Sequence, residues 1–361
     1  MSFSITHVIT TIELGGAEKQ LLEIATCQSK HGDDIKVIFL KGNPILLSEF
    51  SSAGIQVDNT LSHFSFIRQV FELRKKRHQN NNVFHAHLPR AEILCALALK
   101  SKSFVVTRHN AEPFFPGQPA LFSKALSRFV LMRAQCCISI SEAVKRFLLD
   151  TKEMKNSQNS VVVPYGLVIE DLVPKKLNFK ASNLHKVGTV SRLVKQKNLP
   201  LLIKAIKIIN ESKQTPVQLS IVGSGPLQKD LELLTKELGV NHCVSWLGKT
   251  DRINEFYKTL DIFVLASDYE GFGLVLLEAM LQQVPIVARR KSAIPEVLGN
   301  NHPGLIDTDN PSELAEKIWS MLNNQELVNV CLEYQAKQVA NFAIDKSIAA
   351  YRKIYLQVKI E

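Results

Sequence analysis

Short apolar runs rich in Val and Ile recur from one end of the chain to the other, many of them bounded by Gly, Asn or Pro. Such runs predict buried strands, and the stretches of helical period between them predict covering helices. In the first half the runs are 4–10, 34–40, 82–88, 103–109, 136–141 and 160–164, with a helix over 17–30. In the second half they are 185–190, 217–223, 243–248, 261–267, 285–289 and 304–307, with helices over 226–238, 252–260, 273–283 and 311–323. Continuous apolar strands alternating with helices indicate parallel sheets covered on both faces. About a dozen strands exceed one comfortable sheet, so the pattern predicts an α/β protein of two Rossmann-like, doubly wound domains. The join is expected in the aperiodic stretch 166–183, which gives domains 1–170 and 171–341. Residues 342–361 read as one amphipathic helix that begins after the second domain is complete.

Composition fits this picture: of 361 residues, 45% are hydrophobic and 22% charged, ordinary globular values. The N-terminus, "MSFSITHVIT", has no basic region ahead of an apolar one, and no uncharged apolar run approaches the ~18 residues that span a bilayer. A soluble, cytoplasmic protein is therefore expected. The six cysteines form no CxxC pair and sit mostly in apolar stretches, as buried free thiols do. No metal-ligand spacing is visible; "HAH" at 85–87 comes nearest, at a strand end without carboxylates or cysteines around it.

Charge changes the picture more. The chain carries a formal +10. Between Arg68 and Lys155, 16 Lys and Arg stand against 6 Asp and Glu. A basic surface attracts nucleic acid, anionic lipid headgroups or phosphorylated substrates, and nucleic acid is disfavoured because no nucleic-acid-binding motif accompanies the charge. "FIRQVFELRKKRH" (66–78) and "LFSKALSRFVLMRA" (121–134) mix apolar and basic residues at helical spacing. Such helices can lie on an anionic membrane or simply pack by one face.

Five stretches follow predicted strands and so face the crevice at their carboxyl ends. In "LGGAEKQ" (14–20), Gly15 and Gly16 let backbone N–H groups approach an anion at a helix start. In "VSRLVKQKN" (190–198), Arg192, with Lys195 and Lys197 a few residues on, can grip a diphosphate and stabilise a phosphate leaving group. "IVGSGPL" (221–227) offers Gly223 in a ligand-facing turn, and "TRHN" (107–110) puts His109 at a strand end. Each also has a plain structural reading, as a tight turn, loop charges or a lone histidine. "EGFGLVLLE" (270–278) is the most informative: Glu270 and Glu278 bracket Gly271, Phe272, Gly273 and Leu274. Glycines there free amides for a diphosphate at a helix start, and carboxylates pair naturally with hydroxyls. A nucleotide sugar carries hydroxyls at both ends and a diphosphate between.

Together, Glu270–x7–Glu278, "GTVSRLVKQKN", "SIVGSGPL" and "LGGAE", with "PIVARRKSAIPEVL" and "GLIDTDNPSELAEKI", resemble the retaining GT-B glycosyltransferases of glycosyltransferase family four over nearly the whole chain. The resemblance implies a GT-B fold, two Rossmann-like domains facing across a cleft, with acceptor bound mainly by the first and nucleotide sugar by the second. It implies that Glu278 holds ribose hydroxyls, that Glu270 contacts the donor sugar with the backbone of Gly271, Phe272 and Gly273 nearby, and that Arg192 and Lys197 bind the diphosphate. Gly15 and Gly16 would approach that diphosphate, His109 would sit by the transferred sugar, and the terminal helix would cross back to the first domain. No metal and no cofactor beyond a UDP- or GDP-linked donor is implied, and transfer would retain anomeric configuration with the leaving phosphate taking the acceptor's proton. The expected activity is a metal-independent hexosyl transfer onto a glycan or glycolipid acceptor, such as a lipopolysaccharide or capsule precursor at the inner face of the membrane. A GT-B epimerase or phosphorylase, or a silent nucleotide-sugar-binding protein, is the alternative.

Two departures stand out. Tyr165 occupies a position where relatives often carry Asn, with the following acids delayed to Glu170 and Asp171. Ser292, Ala293 and Ile294 stand where relatives often carry two glycines.

Overall fold

The computed structural model describes residues 2–76, 82–156, 158–169 and 183–358. They fall into two compact units, one of Met1–Val168 with Phe342–Glu361, the other of Ile169–Asn341. Glu170, Asp171 and most of the expected join lie outside the described residues.

The first unit runs β1 (Ser4–Ile9), α1 (Gly16–Lys30), β2 (Asp34–Phe39), α2 (Leu47–Ser52), β3 (Gln56–Asp58), α3 (Phe66–Lys76), β4 (Asn82–His87), α4 (Pro89–Ala98), β5 (Phe104–Arg108), α5 (Ala120–Arg133), β6 (Cys136–Ser139), α6 (Glu142–Asp150) and β7 (Ser160–Val162). The second runs β8 (His185–Val190), α7 (Leu199–Ser212), β9 (Val217–Val222), α8 (Gln228–Glu237), β10 (Val244–Gly248), α9 (Ile253–Lys258), β11 (Ile262–Leu265), α10 (Leu274–Leu281), β12 (Ile286–Arg289), α11 (Ile294–Leu298), β13 (Leu305–Ile306), α12 (Pro311–Asn323) and α13 (Gln325–Val339). A last helix, α14 (Ile344–Tyr355), belongs to the first unit.

Each unit is built on one all-parallel sheet, ordered β3-β2-β1-β4-β5-β6-β7 in the first and β10-β9-β8-β11-β12-β13 in the second. The strand order reverses between β1 and β4 and again between β8 and β11. The predicted runs sit on twelve of these strands because both faces are covered, so alternation is absent and apolarity continuous. β4 reads Asn-Val-Phe-His-Ala-His with every residue after the first buried. β3 escaped the sequence reading because it is short and two of its three residues are polar. The first core gathers Ile5, Ile9, Phe39, Val105 and Ile138 with Ile348, Tyr351 and Tyr355 of α14. The second gathers Leu202, Ile206, Leu219, Val264 and Ile318. All six cysteines are buried free thiols.

The terminal segment differs from the continuous helix expected over 342–361. Leu167 donates to the Phe342 carbonyl (2.9 Å) and accepts from Ile344 (3.0 Å), which holds Ala343 extended beside Leu167. The helix therefore starts only at Ile344.

Candidate functional site

Ligands of doubly wound sheets bind outside the carboxyl ends of the strands where the order reverses. In the second unit those strands are β8 and β11, and the loops leaving them carry Arg192, Lys197 and Glu270. The Lys197 Nζ lies 2.7 and 2.8 Å from the two Glu270 carboxylate oxygens. Ser267 Oγ donates to Glu270 Oε1 at 2.7 Å, and Ser292 Oγ donates to the Glu270 carbonyl at 2.9 Å. Glu270 is only 5% exposed, and a buried carboxylate is tolerable where it is paired and hydrogen-bonded in this way. The sequence reading gave Lys197 to the diphosphate and Glu270 to the sugar; the structure brings the two together. Arg192 is exposed and has no ion pair among the described residues.

The two loops are tied to each other. Gln196 donates to the Tyr269 carbonyl (2.7 Å), Asn198 to Asp268 (3.0 Å), and the Asp268 amide to the Gln196 carbonyl (2.8 Å). Arg289, unassigned in the sequence reading, anchors them from below. Fully buried, it donates to the carbonyls of Thr308 (2.8 Å) and Ala266 (3.1 Å) and pairs with Asp268 and Asp309. Its only sequence signal was a cation closing an apolar strand.

Gly273 opens α10 with φ +94, a conformation L side chains avoid. Gly271 and Leu274 are half-buried on either side of it, and Phe272 is buried. Glu278, one turn along α10, is half-buried and accepts from the Tyr257 hydroxyl at 2.9 Å. Burial and the Glu278 carboxylate push the Tyr257 phenol well above its ordinary pKa, so it stays a donor. The sequence reading missed Tyr257, which lies inside a short helix.

Gly223 has a packing cause of its own. Its φ is +130, and a Cβ there would lie 1.9 Å from the Ser191 carbonyl oxygen. That space lets the loop after β8 bond along the β9 turn, Ser191 N–H to Val222 (2.9 Å) and Leu193 N–H to Ser224 (3.0 Å). Of the departing residues, Ser292 holds the Glu270 loop as described, while Ala293 and Ile294 are buried.

In the first unit the reversal lies between β1 and β4. Gly15 and Gly16 lead into α1, and the Glu18 carboxylate folds back so closely that a Cβ on Gly15 would meet its Oε2 at 2.2 Å. Glu18 accepts from Thr11 Oγ1 (2.8 Å), and its burial raises its pKa. His109 follows β5 and ends a row of histidines crossing the sheet. His109 Nε2 is 3.1 Å from His87 Nδ1, His87 Nε2 is 3.0 Å from His7 Nδ1, and His7 Nε2 is 2.8 Å from Gln28 Oε1. At the other end His109 Nδ1 is 2.5 Å from the Tyr165 hydroxyl. His85 meets Tyr355 (2.8 Å) and Thr107 (2.6 Å). Burial lowers the pKa of His7 to about 4 and, with the Arg108 cation beside it, that of His109 to about 3. Burial and the neighbouring rings hold His85 and His87 well below the ordinary value. His7, His85 and His87 bring ring nitrogens within 4.8 Å of one another, a spacing that could hold a metal ion, as could Cys27, His31 and Asp345. "HAH" thus gains a third histidine from β1, paired in register with β4.

On the same unit α3, α4 and α5 pack side by side. Phe71, Arg74, Lys75, Leu97, Lys100 and Arg133 line a depression of about 550 Å³ among them. Ile67, Phe71, Leu97, Leu121, Phe122 and Met132 are exposed on these helices. Among the described residues no helix is long and apolar enough to cross a membrane.

These features define a class, and comparison with known proteins agrees. Residues 14–170 match the family described as Glycosyltransferase Family 4, and residues 174–338 match Glycosyl transferases group 1. The chain belongs to this glycosyltransferase family and has the GT-B fold. It is 24% identical, over 98% of its length and 99% of the relative's, to the Campylobacter jejuni GalNAc-alpha-(1->4)-GalNAc-alpha-(1->3)-diNAcBac-PP-undecaprenol alpha-1,4-N-acetyl-D-galactosaminyltransferase. It is 26% identical to the Bacillus anthracis N-acetyl-alpha-D-glucosaminyl L-malate synthase, over 78% of this chain and 76% of that one. Among solved structures it is similar to Anabaena HepE in complex with UDP and glucose, with TM-score 0.79, 19% identity and coverage of 97% and 98% of the two chains. The protein is a glycosyltransferase acting on nucleotide sugars.

Proposed function

We propose that the protein transfers a hexose, with retention at the anomeric carbon, from a UDP- or GDP-sugar to a lipid-linked glycan acceptor. The observation that carries the donor assignment is the convergence of Arg192, Lys197 and Glu270 on the carboxyl ends of β8 and β11, where the strand order reverses. Arg192 and Lys197 hold the diphosphate and stabilise charge on the leaving phosphate as the glycosidic bond breaks. Glu270 accepts hydrogen bonds from hydroxyls of the donor sugar, and Glu278, oriented by Tyr257, accepts those of the ribose. The amides of Gly271, Phe272, Gly273 and Leu274 lie at the start of α10, where an anion is favoured. In the first unit the same reading assigns Gly15 and Gly16 to the diphosphate and His109 to the transferred sugar, while Gly223 shapes the loop that carries Arg192.

Because Lys197 is paired with Glu270, its ammonium is already fixed in place. A diphosphate then takes over one side of an existing ion pair, so ordering Lys197 costs little on binding. No metal takes part in this scheme: the two cations supply the charge stabilisation.

A lipid-linked acceptor is supported by two things. One relative, the Campylobacter enzyme, is named for an acceptor carried on PP-undecaprenol. The α3–α5 face sets exposed Ile67, Phe71 and Leu97 beside Arg74, Lys75 and Arg133, the mixture that settles on anionic headgroups, each cation contributing about 1 kcal/mol near the surface. Both features support a working position at the inner face of the membrane.

The test is a screen of UDP-, GDP- and ADP-sugars by calorimetry, followed by turnover with a diphospholipid-linked saccharide. Nucleotide released only when acceptor is present supports transfer. Release without acceptor favours an epimerase, and binding without any release favours a silent nucleotide-sugar-binding protein.

A further inference from the structure

The histidine row is more than buried polarity. All eight ring nitrogens of His7, His85, His87 and His109 face a partner, and the partners link them into one line. A neutral imidazole has one donor and one acceptor nitrogen. The bonds of such a line must therefore all run in the same sense, and one group with a defined donor and acceptor side fixes that sense for every ring.

The fixing group is Gln28, fully buried on α1. Its Oε1 lies against His7 Nε2 (2.8 Å), and its Nε2 donates to the Tyr355 hydroxyl (3.3 Å). An amide oxygen only accepts, so His7 carries its proton on Nε2. His7 Nδ1 then accepts from His87 Nε2–H, and His87 Nδ1 accepts from His109 Nε2–H. His109 Nδ1 is left to accept from the Tyr165 hydroxyl. On the other branch Tyr355, having accepted from Gln28, donates to His85 Nδ1, and His85 Nε2–H donates to Thr107. Turning the Gln28 amide over would reverse every one of these bonds.

We propose that Gln28 is a positioning residue that acts through His7 and His87 to hold His109 neutral, in the Nε2–H tautomer, with both ring nitrogens committed to the protein. A ring so committed cannot exchange a proton with a substrate. What His109 brings to the reaction is then a fixed position and an uncharged ring, and Tyr165, the residue that departs from the usual Asn, closes the line at its outer end. The functional part of this inference rests on the reading that His109 serves the transferred sugar. A metal at His7, His85 and His87 is the competing use of the same atoms, since binding it would take nitrogens out of the line.

The experiment is long-range ¹H–¹⁵N correlation of histidine side chains in the full-length protein at neutral pH, with metal content measured on the same sample. All four row histidines are expected as single Nε2–H tautomers with no stoichiometric metal. His109 found as Nδ1–H, a charged ring in the row, or one equivalent of bound metal overturns the proposal. Gln28→Leu is expected to leave His109 as a mixture of tautomers, whereas Tyr165→Phe keeps it Nε2–H, because the sense is set at Gln28. Equal effects of the two variants would also overturn it. In Gln28→Leu, kcat should fall several-fold with donor KM little changed. A tautomer change with kcat untouched would leave the hydrogen-bond line standing and remove His109 from the reacting centre.

Discussion

Three of the row histidines, His7, His85 and His87, are at most 1% exposed, and enclosing them uncharged has a consequence for acid stability. Each has a folded pKa depressed below the unfolded value near 6.5, so each contributes stability that is fully present above that value and lost as pH falls. Between pH 7.5 and pH 5 the unfolded chain takes up close to one proton per ring that the folded chain refuses. At 1.36 kcal/mol per pK unit, three rings lose about 6 kcal/mol over that range. Glu92 works the other way. Desolvation raises its folded pKa to about 7, so it keeps a proton in the fold that the unfolded chain releases, returning roughly 2 kcal/mol on acidification. For these four groups together the loss is about 4 kcal/mol, against the 5–15 kcal/mol that typical domains possess. Both tryptophans, Trp246 and Trp319, lie in the second unit, so fluorescence follows that unit alone. The first unit is best read by hydrogen exchange of peptides from β1, β4 and β5 in graded urea. Protection of these strands should drop by roughly three orders of magnitude between pH 7.5 and pH 5, after correction for intrinsic exchange. Protection that is flat or rises toward acid would refute the neutral enclosure of the row.

Other outcomes follow from the second unit and the basic face. Arg192→Ala should lower turnover by two or more orders of magnitude, the scale of one lost charge-stabilising group, with the thermal midpoint unchanged because the residue is exposed. Gly223→Ala should cost about 1–3 kcal/mol from backbone strain alone, with more from the clash on Ser191, seen in denaturant melts by tryptophan fluorescence. Tyr257→Phe should weaken nucleoside diphosphate binding several-fold in calorimetry, as expected for losing a hydrogen bond of about 1 kcal/mol that orients Glu278. In flotation, anionic vesicles should carry the protein and neutral ones should not, and charge reversal at Arg74 and Lys75 should abolish the difference; indifference to lipid charge would remove the membrane reading.

How far the sequence carried the reader depended on whether a property was local. Both sheets were legible because strands buried on two faces are continuously apolar, and residues 185–190 and 311–323 were placed to the residue. The Glu270–Glu278 stretch was legible because strand, glycine turn and helix lie in one segment. What the sequence hid was pairing across the sheet. Lys197 and Glu270 are 73 positions apart, and nothing local says that they meet. His7 and His87 are 80 positions apart and become neighbours only through the parallel register of β1 and β4. Tyr165 looked like a departure of unknown weight until its hydroxyl was found on His109. The late start of the last helix was hidden for the same reason, since it is set by a bridge to Leu167.

The proposed reaction is retaining transfer from a nucleotide sugar held by the loops after β8 and β11. It is tested most directly by proton NMR of the product formed from an α-linked donor sugar and a lipid-linked acceptor, read at the new anomeric proton. An α-linked product is expected from wild type, and strongly diminished product from Glu270→Gln and Arg192→Ala variants that remain folded. A β-linked product, or undiminished transfer by either folded variant, would contradict it.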